Sequence, residues 1–149
     1  MILCAGLGTR LRPLTDWCPK PLVPIGDRPA LAHILDRLVG VRCVVNAHHR
    51  GAELEAFARA RSGEVLVSTE VDLLGTAGGV AFASPLLGAG DVLVWNGDIL
   101  LDLDPNDLVR AHRSEATLVV RTGPKGTGNV GTDDRGRIVR LRQETVSPG

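Results

Sequence analysis

In the stretch from residue 3 to residue 29, LCAGLGTRLRPLTDWCPKPLVPIGDRP, a short apolar run precedes Gly6, Gly8, Thr9, Arg10, Arg12 and finally Lys20. Gly6 and Gly8 carry no side-chain bulk, so their backbone N–H groups can approach phosphate oxygens. Arg10 adds a planar fork suited to a phosphate. Lys20 follows at a distance set by a stiff loop, because Pro13, Pro19 and Pro21 each fix φ and reduce the entropy lost on ordering. Such a set can hold a polyphosphate; for GLGTR taken alone, a glycine turn with solvated arginines is the competing reading. GLGTRLRP lacks the GKS or GKT ending of a Walker A loop and the third glycine of a dinucleotide fingerprint.

Two further stretches carry chemistry. In EVDLLGTAGGVAFA, residues 70–83, Gly75 to Gly79 run without a large side chain into a helical pattern. Gly78 and Gly79 would let backbone amides sit against a flat ring or a phosphate, or would serve close helix-to-sheet packing. In VLVWNGDILLDLD an apolar strand ends at Asn96, Gly97 and Asp98. Asp98 is thus a carboxylate at a strand's carboxyl end, where Mg2+ can bridge it to substrate phosphates, or else a turn or cap residue. Asp102 and Asp104 read as loop and helix-cap residues.

The elements that must position these residues alternate. Apolar runs over residues 1–5, 42–46, 64–70, 91–95 and 116–122 read as strands, with residues 6–29 as a loop. Residues 30–39 put Leu31, Ile34, Leu35 and Leu38 on one helical face; residues 51–62, 76–84 and 104–113 also read as helices, the last with Pro105 at its first position. Residues 129–142 read as a hairpin turned through Asp134 to Gly136. Strands separated by helices predict an α/β fold, a mostly parallel sheet covered on both faces with an antiparallel addition near the end. Such sheets bind ligands outside the carboxyl ends of their strands, near a switch in strand order. That rule nominates residues 6–20, 46–50, 70–79 and 96–98, all polar or glycine-rich, as the walls of one crevice.

Composition narrows the function classes. The 149 residues suit one domain, and 44% hydrophobic with 23% charged residues is the composition of a soluble globular chain. There is no run near the ~18 apolar residues of a membrane helix and no signal-peptide pattern, so a membrane partner is not expected. Basic and acidic residues balance at 17 each and aromatics make up 3%, which argues against a nucleic-acid partner. Three cysteines without a CxxC pair argue against a disulfide framework or structural zinc and for a cytoplasmic chain. Cys4 and Cys43 read as small buried hydrophobes; Cys18, in a loop beside Lys20, is a candidate for a lowered thiol pKa. His48 and His49 fall in the expected crevice as surface or supporting residues, and His33 and His112 read as structural.

In order and spacing, GLGTRLRPLT, PKPL, LGTAGG and NGD together resemble the sugar-phosphate nucleotidylyltransferase family, over residues 1 to about 142. Within it the pattern is most similar to enzymes acting on N-acetylmuramic acid 1-phosphate and to mannose or heptose 1-phosphate guanylyltransferases. The resemblance implies a Rossmann-like fold of the nucleotide-diphospho-sugar transferase type. It also implies Mg2+-dependent transfer of a nucleotidyl group from a nucleoside triphosphate to a sugar 1-phosphate. Carried over residue by residue, Arg10 would hold the leaving pyrophosphate, Lys20 would stabilise charge at the α-phosphate, and Asp98 would bind Mg2+. Gly6, Gly8 and Thr9 would line the phosphate loop, with Gly78 and Gly79 near the nucleobase or ribose. Family members start a few residues earlier and continue further, so the single domain of residues 1–149 is expected to be incomplete at its C-terminus, without the second acidic metal ligand. Asp133 and Asp134 read as turn residues, and Asn129 is a weak candidate for sugar contact. A catalytically silent nucleotide-sensing module of the same fold is the alternative.

Overall fold

The computed structural model describes residues 1–61, 65–113, 115–121, 123–124, 128–142 and 144–145. The chain forms two compact units, residues 1–105 and 106–149. The first unit opens with β1 (Ile2–Leu3) and a short α1 (Leu14–Trp17) inside the glycine-rich segment, then a small hairpin, β2 (Pro24–Ile25) and β3 (Arg28–Pro29). It continues with α2 (Ala30–Asp36), β4 (Cys43–Ala47), α3 (Gly51–Arg59), β5 (Val65–Thr69), α4 (Gly75–Phe82), α5 (Ser84–Leu87) and β6 (Trp95–Asn96). The central sheet is parallel with order β5-β4-β1-β6.

Alternation along β4 explains why the sheet is covered on both sides. Cys43, Val45 and Ala47 point into one cluster with Leu31, Ile34, Leu35, Leu38, Leu54 and Ala58, which supply the apolar faces of α2 and α3. Val44 points the other way, into a cluster with Met1 and Ala83 against which Val80, Leu86 and Leu87 pack. All five residues of β4 are buried, as expected for a strand with cover on both faces. The face predicted from Leu31, Ile34, Leu35 and Leu38 is therefore the core face, although α2 ends at Asp36 and Leu38 sits in the following turn.

The order places a switch point. From β1 the chain moves to β4 and β5 on one side, then crosses to β6 on the other, so the crossovers diverge between β1 and β6. Connections leaving the two strands in opposite directions open a crevice at their carboxyl ends.

The second unit holds most of α6 (Pro105–Ala111) and an antiparallel sheet of β7 (Val130–Thr132), β8 (Ile138–Leu141) and β9 (Glu144–Thr145). The expected hairpin is present: Gly136 takes φ +77° and its N–H donates to the Asp133 carbonyl at 3.0 Å. Asp133 is a turn residue, its carboxylate accepting from the Arg135 and Arg137 amides at 3.0 and 2.8 Å. The strand expected over residues 116–122 is corrected: residues 116–121 form none, and Leu118, Val119 and Val120 are about half exposed. β-branched residues favour extended backbone, but a strand also needs a neighbour to pair with. Residue 122 lies outside the described residues, as do residue 64 at the head of the expected third strand and residue 62 at the end of the expected second helix.

Candidate active site

Gly6, Gly8, Thr9, Arg10, Lys20 and Asp98 meet at the switch point. A cleft of about 210 Å³ is lined by Leu3 at the end of β1, by Cys4, Gly6, Gly8, Thr9 and Arg10 from the segment after it, by Lys20 and Pro21, and by Asn96, Gly97 and Asp98 at the end of β6. Two stretches almost eighty residues apart are thus brought together, with Lys20 Nζ donating directly to Asp98 Oδ2. Both side chains keep partial solvent access, 27% and 38%, so the pair forms at a wetted wall rather than in the core. Arg10 is exposed at the rim and makes no ion pair with any described residue.

Backbone geometry suits the loop to anions. Gly8 takes φ +64°, and a Cβ there would lie 2.7 Å from Thr15 Cγ2 and 3.3 Å from Lys20 Cβ, so only glycine fits without strain. Thr15 is 1% exposed and donates its hydroxyl to the Gly8 carbonyl at 2.9 Å, which fixes the turn. Among the described residues no protein acceptor takes the N–H groups of Gly6, Leu7 or Gly8. Donors left unpaired on a loop beside a lysine form a concavity for an anion.

On the opposite wall, the Gly97 N–H donates to the Leu3 carbonyl at 2.9 Å, and a Cβ at Gly97 would meet Cys4 Sγ at 2.7 Å and Leu3 O at 2.9 Å. That close approach locks the NGD segment against β1 and sets Asp98 opposite Lys20.

These features carry a family match over nearly the whole chain. A family model described as Nucleotidyl transferase matches residues 1–142. The chain belongs to the nucleotidyl transferase family. It is 35% identical to a mannose-1-phosphate guanylyltransferase of Mycobacterium tuberculosis, over 99% of this chain and 44% of that protein. To an N-acetylmuramate alpha-1-phosphate uridylyltransferase of Caulobacter vibrioides it is 44% identical over 107 residues, 66% of this chain and 44% of that one. The crystal structure of HddC from Yersinia pseudotuberculosis shares the fold, with a TM-score of 0.69 at 20% identity, over 95% of this chain and 68% of that one. The chain therefore spans less than half the length of these curated relatives.

Other parts of the chain lie where their packing puts them. Gly78 and Gly79 sit inside α4 and are not among the residues lining the cleft. A Cβ at Gly79 would fall 2.7 Å from Glu70 Oε1 and 2.8 Å from Asn46 Nδ2, so this glycine lets α4 close onto the sheet, the packing use its type allows. The histidines support the loops: a ring N–H at His48 Nδ1 reaches the Glu70 carbonyl at 3.2 Å, and one at His49 Nε2 reaches the Thr15 carbonyl at 3.2 Å. Arg50 holds left-handed backbone at φ 54° and donates to the Asp16 carbonyl at 2.9 Å, joining the end of β4 to α1. Arg12 pairs with Asp16 at 3.2 Å on the surface.

Neither thiol near the loop is an activated nucleophile. Burial, with Asp98 close by, pushes the Cys4 thiol far above its ordinary value. Cys18 is also corrected: burial pushes its thiol up, outweighing the opposite pull of Arg50.

Sequence reasoning put residues 15, 46 and 70 in segments walling the crevice but gave no role to the side chains of Thr15, Asn46 and Glu70, which are buried polar residues. The available signal was a polar residue closing each apolar strand, in CVVNA and VLVSTE. A polar group at that position must find a buried partner or face the crevice.

For a divalent cation, no three His, Cys, Asp or Glu side chains converge among the described residues. Asp98 is the one carboxylate among the described residues that line the cleft. One carboxylate, with substrate phosphates and water completing the shell, fits the manner in which Mg2+ is held at phosphoryl sites.

Proposed function

We propose that this protein transfers a nucleotidyl group from a nucleoside triphosphate to a sugar 1-phosphate, with Mg2+, releasing pyrophosphate. The observation that carries the reading is the cleft in which the Gly6–Gly8 amides, Arg10, Lys20 and Asp98 converge. The relatives described above are named for attaching a guanylyl or uridylyl group to a sugar 1-phosphate, in line with that chemistry.

An oxygen of the sugar phosphate attacks the α-phosphorus; a new P–O bond forms, the bond to the β-phosphate bridging oxygen breaks, and pyrophosphate leaves with that electron pair. The attacking phosphate is already ionised at neutral pH, so no proton needs to be removed and no Ser-His-Asp set is required. The barrier lies in bringing two anions together, and catalysis is positioning and charge neutralisation. Gly6, Leu7 and Gly8 donate backbone N–H groups to the phosphate chain, with Thr9 beside them. Lys20, held between Pro19 and Pro21, moves its ammonium from Asp98 to the α-phosphate. Arg10, which makes no ion pair among the described residues, takes the departing pyrophosphate. Asp98, released by Lys20, would hold Mg2+, which when bound would neutralise phosphate charge. The Cys4 thiol stays protonated and does not compete as a nucleophile.

The cleft volume of about 210 Å³ is below the ≈ 300 Å³ at which pockets for whole small molecules begin. This part of the site therefore encloses phosphates, and the base and sugar extend beyond it. The test is pyrophosphate release with Mg2+ from UTP, GTP, dTTP, ATP and CTP in turn, against a panel of sugar 1-phosphates. Release that needs one triphosphate and one sugar phosphate supports the reading; triphosphate binding without release under any pairing overturns it in favour of a sensing module.

A further inference from the structure

The ladder of β1 stops at Leu3, and the next two amides, Cys4 and Ala5, are buried and have left the sheet. Buried N–H groups need acceptors, and both of these find the same one: Asn46 Oδ1, at 2.6 Å from Cys4 N and 3.3 Å from Ala5 N. Asn46, on β4, is itself 3% exposed, and its Nδ2 donates to Glu70 Oε1 at 2.7 Å. Glu70, also 3% exposed, accepts the Leu74 amide on its other oxygen at 3.1 Å, just before α4 begins. Gly79 seals the pair from above, leaving no room for even a Cβ.

The relay has one polarity. Two backbone donors oblige Asn46 to present its oxygen toward Cys4 and Ala5, so its amide nitrogen must face Glu70, and both Glu70 oxygens then act as acceptors. The first atoms in this chain belong to the root of the phosphate loop, since Cys4 and Gly6 line the cleft. The last belong to the entry of α4.

We propose that Asn46 and Glu70 are positioning residues for the nucleotidyl transfer read above, on which this inference rests. They touch no reacting atom. Asn46, by accepting the two amides that leave β1, ends its pairing at Leu3 and holds Gly6, Leu7 and Gly8 with their N–H groups toward the phosphates; Glu70, by accepting from Asn46 Nδ2 and from the Leu74 amide, ties that register to the turn before α4. A displacement of about 1 Å in such a loop is enough to cost on the order of 10²-fold in rate.

The test reverses the relay. In Asn46→Asp the oxygen for Cys4 and Ala5 remains, but the second carboxylate oxygen faces Glu70. In Glu70→Gln one side-chain oxygen remains for two donors, and the new NH2 opposes Asn46 Nδ2. In the double variant N46D/E70Q all bonds return with the central one running from Gln to Asp, and the pair keeps a single negative charge. We expect each single variant, in folded full chain, to lose on the order of 10²-fold in kcat with KM values moving less, and to exchange the amides of residues 4–8 faster. The double variant is expected to be within about tenfold of wild type, with exchange at residues 4–8 restored. Wild-type kcat and exchange in a folded single variant would overturn the proposal. So would a folded double variant as impaired and as exposed at residues 4–8 as the singles; should a single variant not fold, that double variant decides alone. If the wild-type chain releases no pyrophosphate with any pairing, the functional reading fails separately, and the exchange data still show whether the relay holds the loop.

Discussion

Gly8→Ala should damage the phosphate loop by two separable mechanisms. The first is conformational: Gly8 sits at φ 64°, ψ 22°, left-handed backbone that costs a residue with a Cβ about 1–2 kcal/mol. The second is steric: the new methyl would lie 2.7 Å from Thr15 Cγ2, with Thr15 Cβ at 3.2 Å and Lys20 Cβ at 3.3 Å. Thr15 cannot swing aside without breaking its 2.9 Å bond to the Gly8 carbonyl, so the contact is relieved by backbone movement, at a further cost of about 1–3 kcal/mol. The expected total is about 2–5 kcal/mol in urea-denaturation stability, with pyrophosphate release reduced because Lys20 shares the strain. Thr15→Ser keeps the hydroxyl and deletes the offending methyl. Alone it should cost about 1 kcal/mol as a small buried cavity, whereas added to Gly8→Ala it should recover about 1–2 kcal/mol. Strict additivity of the two substitutions, or a Gly8→Ala protein within about 0.5 kcal/mol of wild type, would refute the close-approach argument.

Gly97→Ala should be at least as costly, about 3 kcal/mol by the same denaturation assay, because the backbone oxygen of Leu3 at 2.9 Å has less freedom to yield than a side chain. Iodoacetamide at pH 8 should label Cys18 in the native chain, more slowly than a free cysteine, and leave buried Cys4 and Cys43 untouched by peptide mass mapping. Burial disfavours the Cys4 thiolate in the folded chain, so stability should fall as pH climbs past the ordinary thiol value of 9.0, where the unfolded chain ionises first, an alkaline limb that Cys4→Ala removes. The hydrogen bond from Arg28 at 2.5 Å, helped by Arg61, lowers the Asp36 carboxyl. That contribution is complete above the ordinary value of 3.8 and lost as pH falls through the lower folded value, so urea midpoints of Asp36→Asn should fall less steeply on acidification than those of wild type.

Much of the cleft was legible because residue type and strand order speak to the same place. Gly6, Gly8, Arg10, Lys20 and Asp98 are identifiable from spacing, and the rule for carboxyl ends of parallel strands brings both stretches to one crevice before any coordinates. The apolar period of residues 30–39 likewise identifies its buried face. The misses share a cause: they depend on what lies across the fold. The strand expected at residues 116–122 has the right residue types but lacks strand pairing over its described part. The short turns of helix near Thr9, Leu14 and Lys20 last three or four residues, too few for a helical period to be visible. Gly79 reads equally as a ligand-facing or a packing glycine, and the close approach of Glu70 and Asn46 beneath it is visible only in the fold. Asn46 and Glu70 look like ordinary strand-end polar residues; their bond joins positions 24 apart, and its meaning comes from the Cys4 and Ala5 amides.

The central claim is that the cleft between β1 and β6 binds and activates the phosphates. Its most direct test is the steady-state rate of pyrophosphate release by wild type, Lys20→Met and Asp98→Asn, each shown to be folded by its urea midpoint. Both side chains are partly solvated, so neither change should unfold the chain. The account predicts that wild type turns over and that each variant loses on the order of 10²-fold or more in kcat/KM. Wild-type rates in both folded variants would place the chemistry elsewhere and contradict it.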